Sequence, residues 1–169
     1  MLKILKQIFQ VGVVTRDVVT DAALERMGAD VKRMVDKRFR GSLSIRQVDS
    51  GSCNGCELEI NALNNPYYDI ERYGVHFVAS PRHADLLLVT GPVARHMEEA
   101  LRRTYAATPE PKWVIAVGDC GANGGEFGVS YASAGAVSNI IPVDLAITGC
   151  PPSPKELLTG VIALLSKHD

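Results

Sequence analysis

The chain is organised around residues 50–59, which read SGSCNGCELE and place two cysteines and two glycines between an extended segment and an apolar helical start. The other two cysteines also lie in glycine-rich bends, Cys120 in GDCG (118–121) and Cys150 in GCPP (149–152). Four thiols in flexible loops of one chain suggest a single site with four ligands.

The bulk composition is that of one globular domain. The chain has 169 residues, 46% of them hydrophobic, which suffices for a substantial core. A formal net charge of -1 and a pI near 6.4 give no clustered basic surface. Since nucleic-acid binding usually needs such a surface, we expect no nucleic-acid partner.

The sequence shows no export signal and no membrane span. No apolar run approaches the eighteen or so residues that a span requires. The amino terminus lacks a long apolar core followed by a small-residue cleavage site, so we expect a cytoplasmic protein. In that compartment, cysteines are more often metal ligands or redox thiols than structural disulfides.

The amino-terminal third reads as helical. Residues 1–15 are weakly amphipathic, with Leu2, Leu5, Ile8 and Phe9 near one side, and such a helix fits a membrane surface, a partner or the domain's own core. The helical pattern continues from Asp17 to Arg40, and its glycines at 28 and 41 are plausible breaks. We divide the chain into a helical extension (1–41) and an α/β domain (42–169).

Strands and helices alternate after residue 42, and several strands are continuously apolar. This pattern predicts a flavodoxin-like parallel sheet with helices on both faces. The predicted strands are 43–48, 75–78, 85–90, 113–117 and 140–147; the predicted helices are 56–63, 69–73, 94–106 and 154–166, with an irregular loop of at most one helical turn at 121–138.

Three of the cysteines follow predicted strands. Cys53, Cys120 and Cys150 each come just after one, and ligands of open α/β sheets collect outside the carboxyl ends of the strands. Sequence-distant cysteines are therefore expected to converge on one edge of the sheet.

A Cys-x-x-Cys pair by itself fits zinc, a redox dithiol or an iron-sulfur cluster. A zinc ribbon would repeat the close pair, whereas Cys120 and Cys150 stand alone. A thioredoxin-like dithiol suits Cys53 and Cys56 but leaves the other two without a role. The Cys150-Pro151 pair and the surrounding glycines favour a 4Fe-4S cluster with all four thiolates as ligands.

Four motifs, in order, carry a family resemblance over roughly residues 48–165. They are GSCNGCE (51–57), SPRHAD (80–85) leading to TGPV (90–93), GDCGANGG (118–125), and PVD (142–144) leading to GCPP (149–152). In these motifs the chain resembles the small subunit of energy-converting, membrane-bound nickel-iron hydrogenases, such as formate hydrogenlyase. That family is homologous to the cluster-bearing B subunit of respiratory complex I.

The resemblance implies an electron-transfer subunit that is not catalytic alone. Cys53, Cys56, Cys120 and Cys150 would hold one proximal 4Fe-4S cluster beside the nickel-iron centre of a separate large subunit. Electrons would pass between that centre and a ferredoxin-like subunit. Membrane ion-translocating subunits would complete the complex and keep this chain peripheral, on the inner face of the cell membrane.

The spacing between Cys53 and Cys56 helps to distinguish the hydrogenase branch of this family from the complex I branch. The complex I subunit has adjacent cysteines at this motif, whereas Cys53 and Cys56 are separated by two residues, as in hydrogenases. We therefore favour a hydrogenase over the cluster subunit of a complex I-like quinone or ferredoxin oxidoreductase. A stand-alone dithiol oxidoreductase remains the third hypothesis.

Other polar residues have less definite roles. Glu57 is interpreted as stabilising the start of a helix or, less favoured, as aiding proton movement, and Glu59 points elsewhere. His83 lies in the second motif, close to the expected subunit interface, although a surface histidine is the commoner case. His76 is expected to be structural, and His96 and His168 to face solvent.

Overall fold

A computed structural model describes residues 2–12 and 21–167, and it contains a five-stranded, fully parallel sheet. The strand order is β2-β1-β3-β4-β5, which is the flavodoxin-like order, so the predicted fold class is confirmed. The strands are β1 (Leu43–Asp49), β2 (Val75–Phe77), β3 (Leu86–Thr90), β4 (Trp113–Val117) and β5 (Leu145–Ile147).

Six α-helices surround this sheet or precede it in the described residues. They are α1 (Leu2–Val11), α2 (Ala22–Phe39), α3 (Gly55–Ala62), α4 (Glu98–Ala107), α5 (Gly118–Asn123) and α6 (Pro154–Lys167). Short 3-10 turns occupy Ile70–Tyr73, Pro81–His83, Arg95–Met97 and Val137–Asn139. No helix in the described ranges has the length and apolar character needed to cross a bilayer.

The two faces of the sheet carry separate apolar clusters. Residues of α2, α3 and α6 pack on one face against alternate strand residues such as Leu86, Leu88 and Ile115. On the other face, Leu101 of α4 packs against Leu87 and other strand residues. Every residue of β3 is buried because β3 is central and covered on both sides, as its continuous apolar sequence predicts.

The strand register brings four strand ends into one row. Asp49 lies beside Thr90, Thr90 beside Val117, and Val117 beside Ile147, and these are the last residues of β1, β3, β4 and β5. The loops that follow these strands therefore leave the sheet side by side.

Gly28 does not break the second helix, and that prediction is wrong. It lies buried in the middle of α2, where a Cβ would meet the ring of Tyr73 at 2.1–2.5 Å. Gly28 is thus a packing position for an aromatic ring. The helix ends instead at Phe39, followed by Arg40 in the left-handed conformation (φ 54°) and Gly41 (φ 96°), which agrees with the second predicted break.

Two further differences concern the segments around the late cysteines. Residues 118–123 form the short helix α5 where the glycine-rich sequence gave no periodicity, and the last strand is only three residues long. The parts of the two predicted helical segments that fall on residues 13–20 lie outside the described residues. The division of the chain at residue 41 stays a prediction, while Leu24, Val31 and Val35 of α2 belong to the same apolar cluster as the sheet.

Candidate metal centre

All four cysteines line one cavity at the carboxyl edge of the sheet. Its volume is about 120 Å³, and its walls include Cys53, Cys56, Cys120 and Cys150 together with Gly91. A water molecule needs only about 10–15 Å³ measured in this way, so the space accommodates a group of several atoms. The structure confirms that the four cysteines converge on this edge of the sheet, as predicted.

The first cysteine loop leaves β1 through a set of local hydrogen bonds. Asp49 Oδ1 accepts hydrogen bonds from the backbone N–H groups of Gly51 and Ser52, both at 2.8 Å. The buried Ser50 donates its hydroxyl to the carbonyl oxygen of Thr90 at 2.7 Å, which ties the loop to the end of β3. Asn54 is left-handed (φ 72°) and directs the chain into α3, whose first turn contains Cys56.

The start of α5, which contains Cys120, and the loop of Cys150 are joined through Asp119 and Gly149. The N–H of Asp119 donates to the Gly149 carbonyl at 3.0 Å, and the N–H of Gly149 donates to Asp119 Oδ1 at 2.8 Å. Each partner directly precedes a cysteine. This reciprocal pair therefore fixes the positions of Cys120 and Cys150 relative to each other.

Two glycines make room for the sulfur atoms. A Cβ on Gly118 would lie 2.6 Å from Cys56 Sγ, and one on Gly125 would lie 2.7 Å from Cys120 Sγ. Gly118 also has φ +79°, a conformation that residues with a side chain rarely adopt. A side chain at either position would fill space that the cysteines occupy.

The thiols differ in exposure and in acidity. Cys53 and Cys150 are exposed, whereas Cys56 and Cys120 are partly buried, so the cavity is closed at one end and open at the other. Burial raises the pKa of the Cys56 thiol to about 12, and Glu57 and the other three cysteines add to this increase. Burial is also the main cause of the raised pKa of Cys120, followed by its neighbours Cys150 and Cys53.

Glu57 is buried next to Cys56, which the sequence did not reveal. Only 6% of its surface is exposed; its Oε1 accepts a hydrogen bond from the Thr90 hydroxyl, while Oε2 has no hydrogen-bond partner among residues 2–12 and 21–167. The expected position in the first turn of a helix is correct, but the carboxyl faces the protein interior. The sequence signal for this burial is the apolar Ile60, which lies one turn later on the same face of α3 and is itself buried.

The remaining candidates do not line the cavity. Glu59 is partly buried on α3, and His83 is exposed in the Pro81–His83 turn. His76 is partly buried in β2, and His96 is exposed as expected; His168 lies outside the described residues. Asp119 is the site residue that sequence reasoning missed, although its place between Gly118 and Cys120 marked a loop where a short acidic side chain commonly bonds backbone N–H groups.

No group of three or more His, Cys, Asp or Glu side chains that could hold a metal ion is found within residues 2–12 and 21–167. The four cysteines nevertheless surround a common space.

Sequence comparison assigns the family. Residues 53–164 match the family described as "NADH ubiquinone oxidoreductase, 20 Kd subunit", and the chain belongs to it. This confirms the predicted kinship with complex I and hydrogenase small subunits.

Curated relatives include named hydrogenase subunits. A probable membrane-bound hydrogenase subunit (mbhJ) of Pyrococcus furiosus is 51% identical over 73% of this chain and 74% of its own length. Subunit 7 of formate hydrogenlyase from Escherichia coli is 45% identical over 78% of this chain, but the match spans only 52% of that longer protein. Relatives are thus subunits of oxidoreductase complexes, as expected for this chain.

Two solved structures extend the comparison. A chain in the membrane-bound sulfane sulfur reductase, described as an archaeal respiratory membrane complex, superposes with a TM-score of 0.67 at 34% identity, covering 79% of this chain and 73% of that one. The NiFeSe hydrogenase of Dm. baculatum gives a TM-score of 0.51 at 18% identity, covering 75% and 63%, which supports the fold alone.

Proposed function

We propose that this chain is the electron-transfer small subunit of a membrane-bound nickel-iron hydrogenase. Its role is to hold one 4Fe-4S cluster with Cys53, Cys56, Cys120 and Cys150, next to the nickel-iron site of a large subunit. The observation that carries the proposal is the single cavity lined by all four cysteines, which come from three separate segments of the chain.

The chemistry of the donor set fits such a cluster. Thiolates are its usual protein ligands, and four are present here. Burial raises the pKa of the Cys56 thiol, and a bound metal, which takes cysteine as the thiolate, would shift that group toward its deprotonated form.

When bound, a 4Fe-4S cluster accepts and releases single electrons. The contribution of this chain is to position that group and to set its surroundings. The Asp119–Gly149 pair holds two ligand loops together, and partial burial of Cys56 and Cys120 limits water at the closed end. The exposed Cys53 and Cys150 leave the other end accessible to a partner.

An exposed apolar loop supplies a candidate docking surface for the large subunit. Phe127, Val129 and Tyr131 follow the Cys120 segment and are 62%, 69% and 98% exposed. Phe127 also lines a shallow pocket together with Gly51, two residues before Cys53. Exposed hydrophobic groups beside a site commonly mark protein interfaces. Replacing Tyr131 by Ala should therefore reduce copurification of the large subunit without loss of iron.

The partners of this subunit are a large subunit carrying nickel and iron, a ferredoxin-like iron-sulfur subunit and membrane ion-translocating subunits. Through them the chain lies on the inner face of the cell membrane. Support comes from the relative named as a membrane-bound hydrogenase subunit.

A second candidate keeps the same cluster but assigns the complex a different reaction. The 34% identical chain in the sulfane sulfur reductase favours a sulfur-reducing respiratory complex. Nickel in the purified complex and hydrogen evolution from a reduced dye distinguish the hydrogenase from this candidate and from a quinone reductase.

The test is anaerobic purification of the chain with its neighbours, followed by iron analysis and spectroscopy. We expect a brown protein with about four irons per chain. Replacing Cys120 or Cys150 by Ser should remove iron as fully as replacing Cys53. Colourless protein with a readily titrated Cys53–Cys56 pair, or variants of Cys120 and Cys150 with full iron, would rule the proposal out.

A further inference from the structure

The first helix of the structure has an apolar half that no other described residue buries. Helix α1 contains six large apolar residues, and each is more than half exposed, from 51% at Leu5 to 87% at Phe9. No residue of α1 is buried. The interpretation of this segment as a cover for the domain's own core is therefore wrong.

The two halves of α1 are completely segregated. At about 100° per residue, all apolar side chains fall within one half of the helix circumference and all polar ones within the other. The apolar half consists of Leu2, Ile4, Leu5, Ile8, Phe9 and Val11; the polar half consists of Lys3, Lys6, Gln7 and Gln10. An apolar arc this wide exceeds the narrow stripe that suffices for packing against one partner helix.

The charge of this segment is one-sided. The first sixteen residues contain Lys3, Lys6 and Arg16 and no acid, since the first carboxylate of the chain is Asp17. The rest of the chain has more acidic than basic residues, because the total is 18 Lys and Arg against 19 Asp and Glu. A basic, amphipathic segment on an otherwise acidic chain is complementary to an anionic surface.

We propose that α1 lies in the interface of an anionic lipid bilayer, with its apolar half among the acyl chains and its lysines at the headgroups. A helix of ten residues is about 15 Å long, half the thickness of the hydrocarbon core, so it lies along the surface. Lys6 borders the apolar half, where its stem reaches over apolar surface while its ammonium group contacts phosphate.

This anchor goes beyond electron transfer and is independent of the four cysteines. One short amphipathic helix binds weakly, and stable attachment generally takes two signals. Contacts with membrane subunits would supply the second signal. The helix thus gives the subunit its own contact with the bilayer.

The test is sedimentation of the full-length chain with lipid vesicles at low salt. The vesicles contain either phosphatidylcholine alone or phosphatidylcholine mixed with phosphatidylglycerol. We expect clear binding to the mixed vesicles and weaker binding to the neutral ones. Replacing Lys3 and Lys6 by Gln should weaken binding to anionic vesicles by roughly fivefold per lysine and leave binding to neutral vesicles nearly unchanged.

A matched pair of variants separates the two faces of α1. Leu5→Ser with Ile8→Ser changes the apolar half and should weaken binding by about tenfold per side chain. Gln7→Ser with Gln10→Ser places the same residues on the polar half and should bind as the original chain does. Equal binding of both double variants would overturn the proposal.

A second result also overturns it. If the original chain binds neither kind of vesicle, and Leu5→Ser with Ile8→Ser instead prevents copurification of a partner subunit, then α1 is a protein-docking helix. Iron content is measured on the same samples of the original chain. An original chain that binds vesicles but contains no iron would contradict the cluster, whereas one that contains full iron but binds no vesicles would contradict the anchor alone.

Discussion

Asp119 and Gly149 exchange two hydrogen bonds, at 3.0 and 2.8 Å, although thirty residues separate them. Asp119→Ala removes the bond at 2.8 Å, and bonds to charged groups contribute about 1.5–3 kcal/mol. We expect less iron per chain and a lower urea midpoint. Asp119→Asn retains an acceptor oxygen and should keep most of both; equal behaviour of the two variants would argue against this role.

Gly118 is expected to tolerate no side chain. A Cβ at this position would lie 2.6 Å from Cys56 Sγ, and the φ of Gly118 is +79°, so Gly118→Ala both displaces the Cys56 sulfur and strains the backbone. We predict severe loss of bound iron, measured by colorimetric analysis after anaerobic purification. Gly128→Ala is the control, because Gly128 also has a positive φ (+50°) but nothing lies within 4 Å of its Cβ. Iron retained by Gly118→Ala would refute the steric argument.

The Thr90 hydroxyl is expected to stabilise the buried carboxyl of Glu57. Thr90→Val removes the only hydrogen-bond donor to the Glu57 carboxyl recorded within the described residues and leaves a buried polar group unpaired. The free energy of unfolding should fall by about 1–3 kcal/mol. Thr90→Ser keeps a hydroxyl and should lose less. The measurement is urea unfolding of both variants, and an equal loss would assign the effect to packing.

Alkylation of the iron-free chain tests the raised pKa of Cys56. Because this pKa is about 12, the thiol stays protonated near neutrality. The rate of alkylation at Cys56 should therefore rise about tenfold per pH unit from pH 8 to about 11. The unfolded chain should level off near the usual thiol pKa of about 8.5. Mass spectrometry of the labelled peptide gives the rate, and a plateau below pH 9 in the folded chain would contradict the shift.

The same shift has a consequence for stability. A thiol whose pKa is higher in the folded chain than in the unfolded chain stabilises the fold. This contribution is complete below the unfolded pKa and is lost as pH rises toward the folded pKa. For Cys56 that interval runs from about 8.5 to about 12. The iron-free fold should therefore weaken across this range, as followed by thermal unfolding.

The sheet and the meeting of the cysteines were predictable because they rest on simple patterns. Apolar runs marked the strands, and the carboxyl ends of parallel strands share one edge. What the patterns lacked was long-range information. Gly28 looked like a helix break because nothing local indicates that the Tyr73 ring, 45 residues later, occupies the space beside it.

The details of the site depended on similarly distant contacts. The helical turn at residues 118–123 is glycine-rich, and its partner in the Asp119 pair lies in another loop. Glu57 resembled an ordinary acid at a helix start, since its partner Thr90 belongs to a different strand. The exposure of α1 could not be read from an amphipathic pattern, which is the same for a core helix and a surface helix.

The row of strand ends also dictates an order of biogenesis. Cys150 follows β5, which joins the sheet by pairing with β4, so the fourth wall of the cavity forms only once β5 has docked. We therefore expect the cluster proposed for this cavity to be inserted after the sheet has assembled. Iron and sulfide would then be delivered to a folded or nearly folded acceptor.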